Sequence, residues 1–354
     1  HNTVIGFSAF DAADSGESNN VVIGSGAAGA MNTATCDNNV IIGKDAGVGG
    51  VATLTACVAI GAASLTATGN IGASDSVFIG KDSGGGSWST AGCDNNTAIG
   101  AGTLAGAMNG AAHNVAVGKS ALAAITTGDN NVAVGMQAGT NFDAEIYNTF
   151  VGAYSGAGGI NGADYVTAIG GQTLGGAITQ DGTVAVGYNA LNALTSGAGN
   201  IAIGFEAGKG IVDSSNNLAI GYQAMLDHVR TDTQNIAIGN YALDQCTEDA
   251  YNTAVGYQAL TEQRNVNAGS LEATYNTALG WKAGDALVGH GDEDKGKKNT
   301  FIGASTDADD TTGYHQTVIG YGTTGVADNS VTLGNDDVTA VYMSSDGGAQ
   351  VSCG

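Results

Sequence analysis

The sequence predicts an all-β fold, a parallel β-solenoid, and three observations carry that prediction. First, one phrase recurs from end to end: Asn, a β-branched residue, usually Ala, then Ile or Val, then Gly. Its closing glycine stands at Gly6, Gly24, Gly43, Gly61, Gly80, Gly100, Gly118, Gly135, Gly152, Gly170, Gly187, Gly204, Gly221, Gly239, Gly256, Gly280, Gly303, Gly320 and Gly334. Most intervals are 17 to 20 residues, and self-similarity at a short fixed period marks a solenoid. Second, glycine makes up 59 of 354 residues and proline is absent. The lack of a Gly-X-Y period excludes collagen, and the fixed phase of the glycines behind apolar residues excludes a flexible linker. Third, charged residues are only 12%, whereas disordered chains combine high charge with few β-branched residues.

Each unit can be read outward from its anchor glycine. The preceding residue is Ile, Val or Leu, as in Ile23, Val117, Ile203 and Leu333, and three before it stands a β-branched residue or Leu, as in Val21, Thr97 and Leu218. Between them lies Ala or a larger residue, as in Ala98, Phe150 and Phe301. Such alternation reads as a short strand. Both of its faces are apolar, so both are expected to be buried. One fills the coil; the other needs a second chain, which predicts oligomerisation.

Four before the glycine stands Asn in most units, among them Asn20, Asn39, Asn131, Asn200 and Asn252 ahead of Gly24, Gly43, Gly135, Gly204 and Gly256. Stacked at one phase, these side chains are expected to form a ladder. The glycine marks the next corner, where positive φ or close approach is needed. Three after it comes a small residue, then Gly or Leu, in a second short strand or tight turn; the rest of the unit reads as a variable polar loop.

Unit boundaries predict a continuous repeat over 1–334, about nineteen coils, and a terminal strand or transition segment over 335–354, where Val338 to Met343 reads as a strand. At roughly 4.8 Å per coil that is a rod of about 90 Å. Two longer units hold insertions around Arg264 to Thr274 and Asp285 to Lys298, which in solenoids map to loops on one face. The chain opens inside a repeat at His1 without an initiator Met, as a processed piece of a longer protein would.

The net charge of −23 repels nucleic acid and anionic membranes. The uncharged stretch from Ala46 to Ser74 imitates a membrane span, but it is rich in Gly, Ser and Thr and carries Gly61 in phase; no membrane insertion is expected. Five cysteines show no metal-ligand spacing and read as small buried side chains. Cys36 and Cys93 share a phase three repeats apart, about 14 Å at that rise, too far for a disulfide.

Several motifs imitate chemistry. Gly24 to Gly29 matches a dinucleotide fingerprint, but the next unit leaves no room for a crossover helix. Gly118-Lys119-Ser120 imitates a phosphate loop, but His113 stands where its first glycine belongs. His1, His113, His228, His290 and His315 form no metal pair. Asp292, Glu293 and Asp294 beside Lys295, Lys297 and Lys298 read as a solvated loop. The acidic group Asp307, Asp309 and Asp310 reads as a turn, with structural calcium as the alternative. No carboxylate pair stands out for glycoside hydrolysis, so neither an enzyme nor a cofactor is expected. The position after the glycine holds Tyr188, Phe205, Tyr222, Tyr257 and Trp281, interrupted by Asn240. Such a column reads first as a stacking ladder and second as a glycan or receptor contact strip, with Trp88 in its glycine-rich loop as a further contact.

The Asn-x-Ala-Ile/Val-Gly phrase resembles the head repeats of trimeric autotransporter adhesins, the YadA-like left-handed parallel β-roll. Units such as Asn252-Thr253-Ala254-Val255-Gly256-Tyr257-Gln258-Ala259-Leu260 are more similar to tail-fibre-like proteins of phages and aquatic viruses. The adhesin unit is more compact, and only Gly320 to Gly334 is that short here, which favours the fibre. The resemblance implies a left-handed β-roll or β-helix and an elongated parallel homotrimer. It implies a rigid shaft of a virion tail or extracellular appendage, partnered by other virion or appendage proteins and by a host cell-surface glycan or protein. A bacterial adhesin head and a glycan-depolymerising tailspike are the alternatives.

Overall fold

The computed structural model describes residues 1–341 except 15, 34, 50–52, 67, 68, 70, 71, 89, 90, 160, 161, 228–233, 246–249, 263–274 and 288–295. It is all-β, a parallel solenoid with no helix among the described residues. Two compact units divide the chain, His1–Asn217 and Leu218–Gly354.

In the first unit, three-residue strands from Thr3–Ile5 through Val21–Ile23 to Ile201–Ile203 pair in parallel, each with the next copy of the phrase. Register is constant: Val4 lies beside Val22, Ala133 beside Phe150, and Ala185 beside Ala202. Parallel neighbours need a crossover, and here each repeat supplies it as one turn of coil. A minor pair, Leu54–Thr55 with Ala73–Ser74, adds a second small sheet. The second unit repeats the pattern from Leu218–Ile220 to Val331–Leu333, with Ala219 beside Ala237 and Val318 beside Thr332.

The anchor glycine is required by the stacking itself. Gly135 has φ +142°, and a Cβ there would fall on the carbonyl of Gly152, its counterpart one turn on. Both the backbone conformation and the close approach exclude a side chain.

The coil interior is filled by volume compensation within and between turns. The middle residue of each strand points in and is buried, as Ile41, Phe78, Ala98, Ala116, Phe150 and Ala185 are. In the turns of Ile41, Phe78 and Phe150 the fourth residue after the anchor is glycine: a Cβ on Gly47 would meet Ile41, one on Gly84 would meet Phe78, and one on Gly156 would meet Phe150. In the turns of Ala98, Ala116 and Ala185 that residue is Leu: Leu104, Leu122 and Leu191 are buried at φ between +45° and +48°. Ala133, Ala202 and Ala278 are followed instead by Gly139, Gly208 and Gly284, where a Cβ would meet Leu122, Leu191 and Phe301 of neighbouring turns. A left-handed conformation costs a Leu about 1–2 kcal/mol, which burial of the side chain offsets at about 1.5–3 kcal/mol. Thus the choice of Gly or Leu follows the space left by the facing strand and by the side chains of neighbouring turns.

The expected asparagine ladder is present, and it joins side chain to backbone. Asn20 Oδ1 accepts the Asn39 N–H of the next turn at 2.9 Å, and Asn20 Nδ2 donates to the Cys36 carbonyl at 2.7 Å. Asn114, Asn131 and Asn148 continue the ladder at 2.9 Å, as do Asn235, Asn252, Asn276 and Asn299 in the second unit. The ladder side chains are buried, so each must satisfy both ends of its amide. Cys57 and Ser76 substitute where Asn is missing: Cys57 N–H still donates to Asn39, and Ser76 Oγ accepts from Asn96 N–H.

The outer strand face is left uncovered within one chain, as expected of a face that the coil interior does not take: Ile99, Val134 and Ile203 are 39%, 36% and 40% exposed. Two sequence expectations change. The loops are not merely polar, since Met31, Met108, Ile125, Phe142, Ile178, Leu194 and Ile211 all enter the core. The inner strand face is often only Ala, so bulk must come from the return segment. The terminal strand is absent over 338–341, and its remainder lies outside the described residues.

Candidate functional site

The outer strand face is a surface feature that recurs in every turn of both units. Because strands stack in register, the residues one before each anchor form an apolar column on the outside of each unit, and those three before it form a parallel column of Val, Ile, Leu and Thr. Ile169, Ile201 and Ile203 are 40%, 38% and 40% exposed in the first unit, and Ile236, Leu279 and Ile302 in the second are 38%, 50% and 38% exposed. Threonines at 97, 149, 167, 253, 277, 300 and 317 share the column three before the glycine. A contiguous apolar patch running from turn to turn is unusual on a monomer surface.

The aromatic column predicted after the anchor is present and half exposed. Tyr188 and Phe205 stack at 5.6 Å with 22° between planes. In the second unit Tyr222, Tyr241 and Tyr257 run edge to face at 5.4 and 5.9 Å. Tyr241 therefore bridges the interruption at Asn240, whose own Oδ1 accepts the Tyr222 N–H at 2.9 Å. Trp281 carries Lys282 Nζ 5.5 Å from its ring centre. Ring contacts passed from turn to turn, stacked in one place and edge to face in the other, suit a stiffening ladder.

Trp88 is corrected: it is 5% exposed, tilted against Phe78 at 6.0 Å. Its indole N–H is buried without a hydrogen-bond partner. Gly84, Gly85 and Gly86 let the loop fold inward, so Trp88 is core and not a surface contact. Sequence reasoning missed a second set of aromatic residues just before the ladder position, which is Asn after Tyr147, Tyr251 and Tyr275 and Val166 after Tyr165. Tyr147 and Tyr165 stack at 5.6 Å and 5°, and Tyr251 and Tyr275 at 4.9 Å and 2°. The repeat register shows it once the residue before each ladder position is read as part of the unit.

In the second unit, carboxylates recur in successive turns. Backbone hydrogen bonds set Asp227 beside Asp244 and Glu262 beside Asp285. Burial, reinforced by Asp227 and Glu262, pushes the Asp244 carboxyl up to about 6. Burial, reinforced by Asp285 and Glu262, pushes Asp307 up to about 6 as well. Lys282 pairs with Asp285 at 3.2 Å.

The Asp307, Asp309 and Asp310 oxygens are engaged in local turns: Asp307 accepts from Ala308 N–H, Asp309 from Asp310 N–H and Gln316, and Asp310 from Thr312. Among the described residues no three His, Cys, Asp or Glu side chains converge as a metal site. His113 lies 3.4 Å from Asn95, and His315 lies 3.0 Å from Asn329, both as rungs on the exposed corner. His228, His290, the 264–274 insertion and residues 292–295 lie outside the described residues. Residues 25–29 after Gly24 form a turn and no helix, so the dinucleotide fingerprint has no helix to bind phosphate. Cys36, Cys57 and Cys93 are buried, and burial pushes the Cys57 and Cys93 thiols up to about 11. No helix is long and apolar enough to cross a membrane among the described residues.

A scan against protein-family models finds no match, and a search of curated proteins finds none either.

Proposed function

We propose that this chain is a rigid, non-enzymatic fibre segment, a left-handed β-solenoid that assembles as a parallel homotrimer. It serves as the shaft of a viral or phage tail fibre, or a comparable extracellular appendage, that carries a host-attachment surface. The observation that carries this reading is the outer apolar column one before each anchor, flanked by the column of Val, Ile, Leu and Thr, present in both units and partly exposed in one chain. Parallel copies sharing an axis present the same column at the same height, so every turn contributes equally to the interface. The inner core of Ala, Gly and single large residues is narrow, and covering the outer columns adds apolar burial at about 25 cal/mol per Å². The aromatic and asparagine ladders supply stiffness and no reaction.

Sedimentation and cryo-electron microscopy of the purified chain test the reading together. A mass three times 34.7 kDa, with three-fold symmetry and an axial rise of about 4.8 Å per coil, is expected. A monodisperse monomer at micromolar concentration would remove the interface and the fibre reading with it.

A further inference from the structure

We propose that a depression in the first unit is a binding subsite for a neutral pyranose. It has a volume of about 320 Å³ and is lined by Tyr154, Ala157, Gly158, Gln172, Gly175 and Asn192. That is the lower end of the range for small-ligand sites. None of these residues belongs to the strand columns that form the apolar face, so self-association through that face does not use them.

Three consecutive turns build the depression. Gly158 and Gly175 leave its floor as bare backbone, because a Cβ on Gly158 would fall on the Gly175 carbonyl. The missing side chain at Gly175 lets the Asn192 amide lie down in its place, where Nδ2 donates to the Gln172 carbonyl at 2.8 Å. Gln172 Oε1 accepts from the Tyr188 hydroxyl at 3.1 Å. Each amide thus has one end held by the protein, which orients it. The other ends, Gln172 Nε2 as donor and Asn192 Oδ1 as acceptor, are left for a ligand.

Tyr154 supplies the apolar wall. It is 39% exposed and, among the described residues, is stacked on no other ring, unlike the column tyrosines. One open aromatic face beside an oriented donor and acceptor matches a pyranose, which has an apolar C–H face and an equatorial rim of hydroxyls. The lining carries no charged side chain, and the chain has a net charge of −23. Both select a neutral sugar over a sialic or uronic acid. The inference rests on the attachment reading for the source of the sugar, a surface glycan; the pocket chemistry stands on its own lining.

Saturation-transfer NMR on the full chain tests it, with glucose, galactose, mannose and N-acetylglucosamine as probes and N-acetylneuraminic and glucuronic acids as the acidic comparison. At least one neutral sugar is expected to bind, and the acids are not. Affinity is expected to fall at least tenfold in Tyr154→Asn, which keeps a residue that tolerates left-handed φ. It is expected to fall similarly in Gly175→Ala, whose Cβ would meet Asn192 Nδ2 at 2.5 Å and displace that amide, with the Asn192 backbone carbonyl oxygen at 3.2 Å. Unchanged sedimentation and thermal unfolding in both variants separate a lost subsite from a lost fold. Overturning results are no transfer to any neutral sugar, equal transfer from the acids, or unchanged affinity in both variants. Loss of the subsite in a protein that is still trimeric leaves the fibre reading intact. Sugar binding by a monomer leaves the subsite and removes the fibre.

Discussion

Replacing Asn131 with Ala isolates the asparagine ladder as a source of stability. Asn131 is buried. Its Oδ1 accepts the Asn148 N–H at 2.9 Å, and its Nδ2 donates to the Glu145 carbonyl at 2.7 Å and to Asn114 Oδ1 at 3.2 Å. Alanine fits the backbone but leaves the Asn148 N–H and the Glu145 carbonyl buried without those partners. A buried group left unpaired costs about 1–3 kcal/mol, so two such groups predict a loss of about 2–6 kcal/mol. The same column contains its own control. Thr183 occupies the ladder position before Gly187, is buried, and has a hydroxyl without a hydrogen-bond partner. Thr183→Val removes a polar atom that bonds nothing, so its effect is expected to be neutral or stabilising. Solenoids open locally and need not unfold in one step, so the assay is amide hydrogen exchange read residue by residue. In Asn131→Ala, protection of Asn148 and its neighbours is expected to fall by a factor of at least ten, while turns near Asn20 keep theirs. Unchanged protection at Asn148, or an equal loss in Thr183→Val, would refute the argument that the amide bonds stabilise the stack.

Four further predictions rest on other parts of the structure. Ile203→Asp is expected to leave strand content by circular dichroism intact, because Ile203 is half exposed in one chain, yet to abolish the trimer by sedimentation through burial of an unpaired charge. Gly135→Ala is expected to give insoluble protein or lose several kcal/mol in denaturant titration, since its Cβ falls on a backbone carbonyl that cannot move aside. Asp244 and Asp307 have folded pKa values raised to about 6, so the folded state holds their protons more tightly than the unfolded state. Their effect favours folding below about pH 4 and is lost as pH rises to about 6. Thermal unfolding of the second unit should therefore rise between pH 7 and 5, and Asp244→Asn with Asp307→Asn should flatten that rise. Cys57 and Cys93, raised to about 11, are expected to resist iodoacetamide at pH 8 in the folded protein and to react once it is unfolded, read by mass spectrometry.

How much of the molecule is legible in its sequence differs from element to element. The strands are: every three-residue strand falls on the repeat phrase, and the phase of the glycines announces a parallel stack before any coordinate is seen. The ladder is partly legible, because a recurrent Asn predicts stacking, but its bonding to the backbone of the next turn depends on the local corner geometry. The direction each strand face points is not legible. Ala98 and Ile99 are both apolar, and only the handing of the backbone into the following turn puts the first inside and the second outside. Trp88 was misplaced for a related reason. A glycine-rich loop signals freedom, and freedom can turn a large ring inward as readily as outward.

The sequence by itself determined the period, the strand positions, the glycine at each corner and the absence of a crossover helix, because these follow from spacing and from backbone conformations that few residues tolerate. Only the tertiary structure decided which columns are covered. The exchange of volume between Ile41 and Gly47, or between Ala98 and Leu104, is a contact across the coil. The depression at Tyr154 needs three turns to be superposed before its floor exists. Each of these depends on which residues the stacking brings opposite one another, and in a chain of near-identical repeats that is a matter of register rather than of composition.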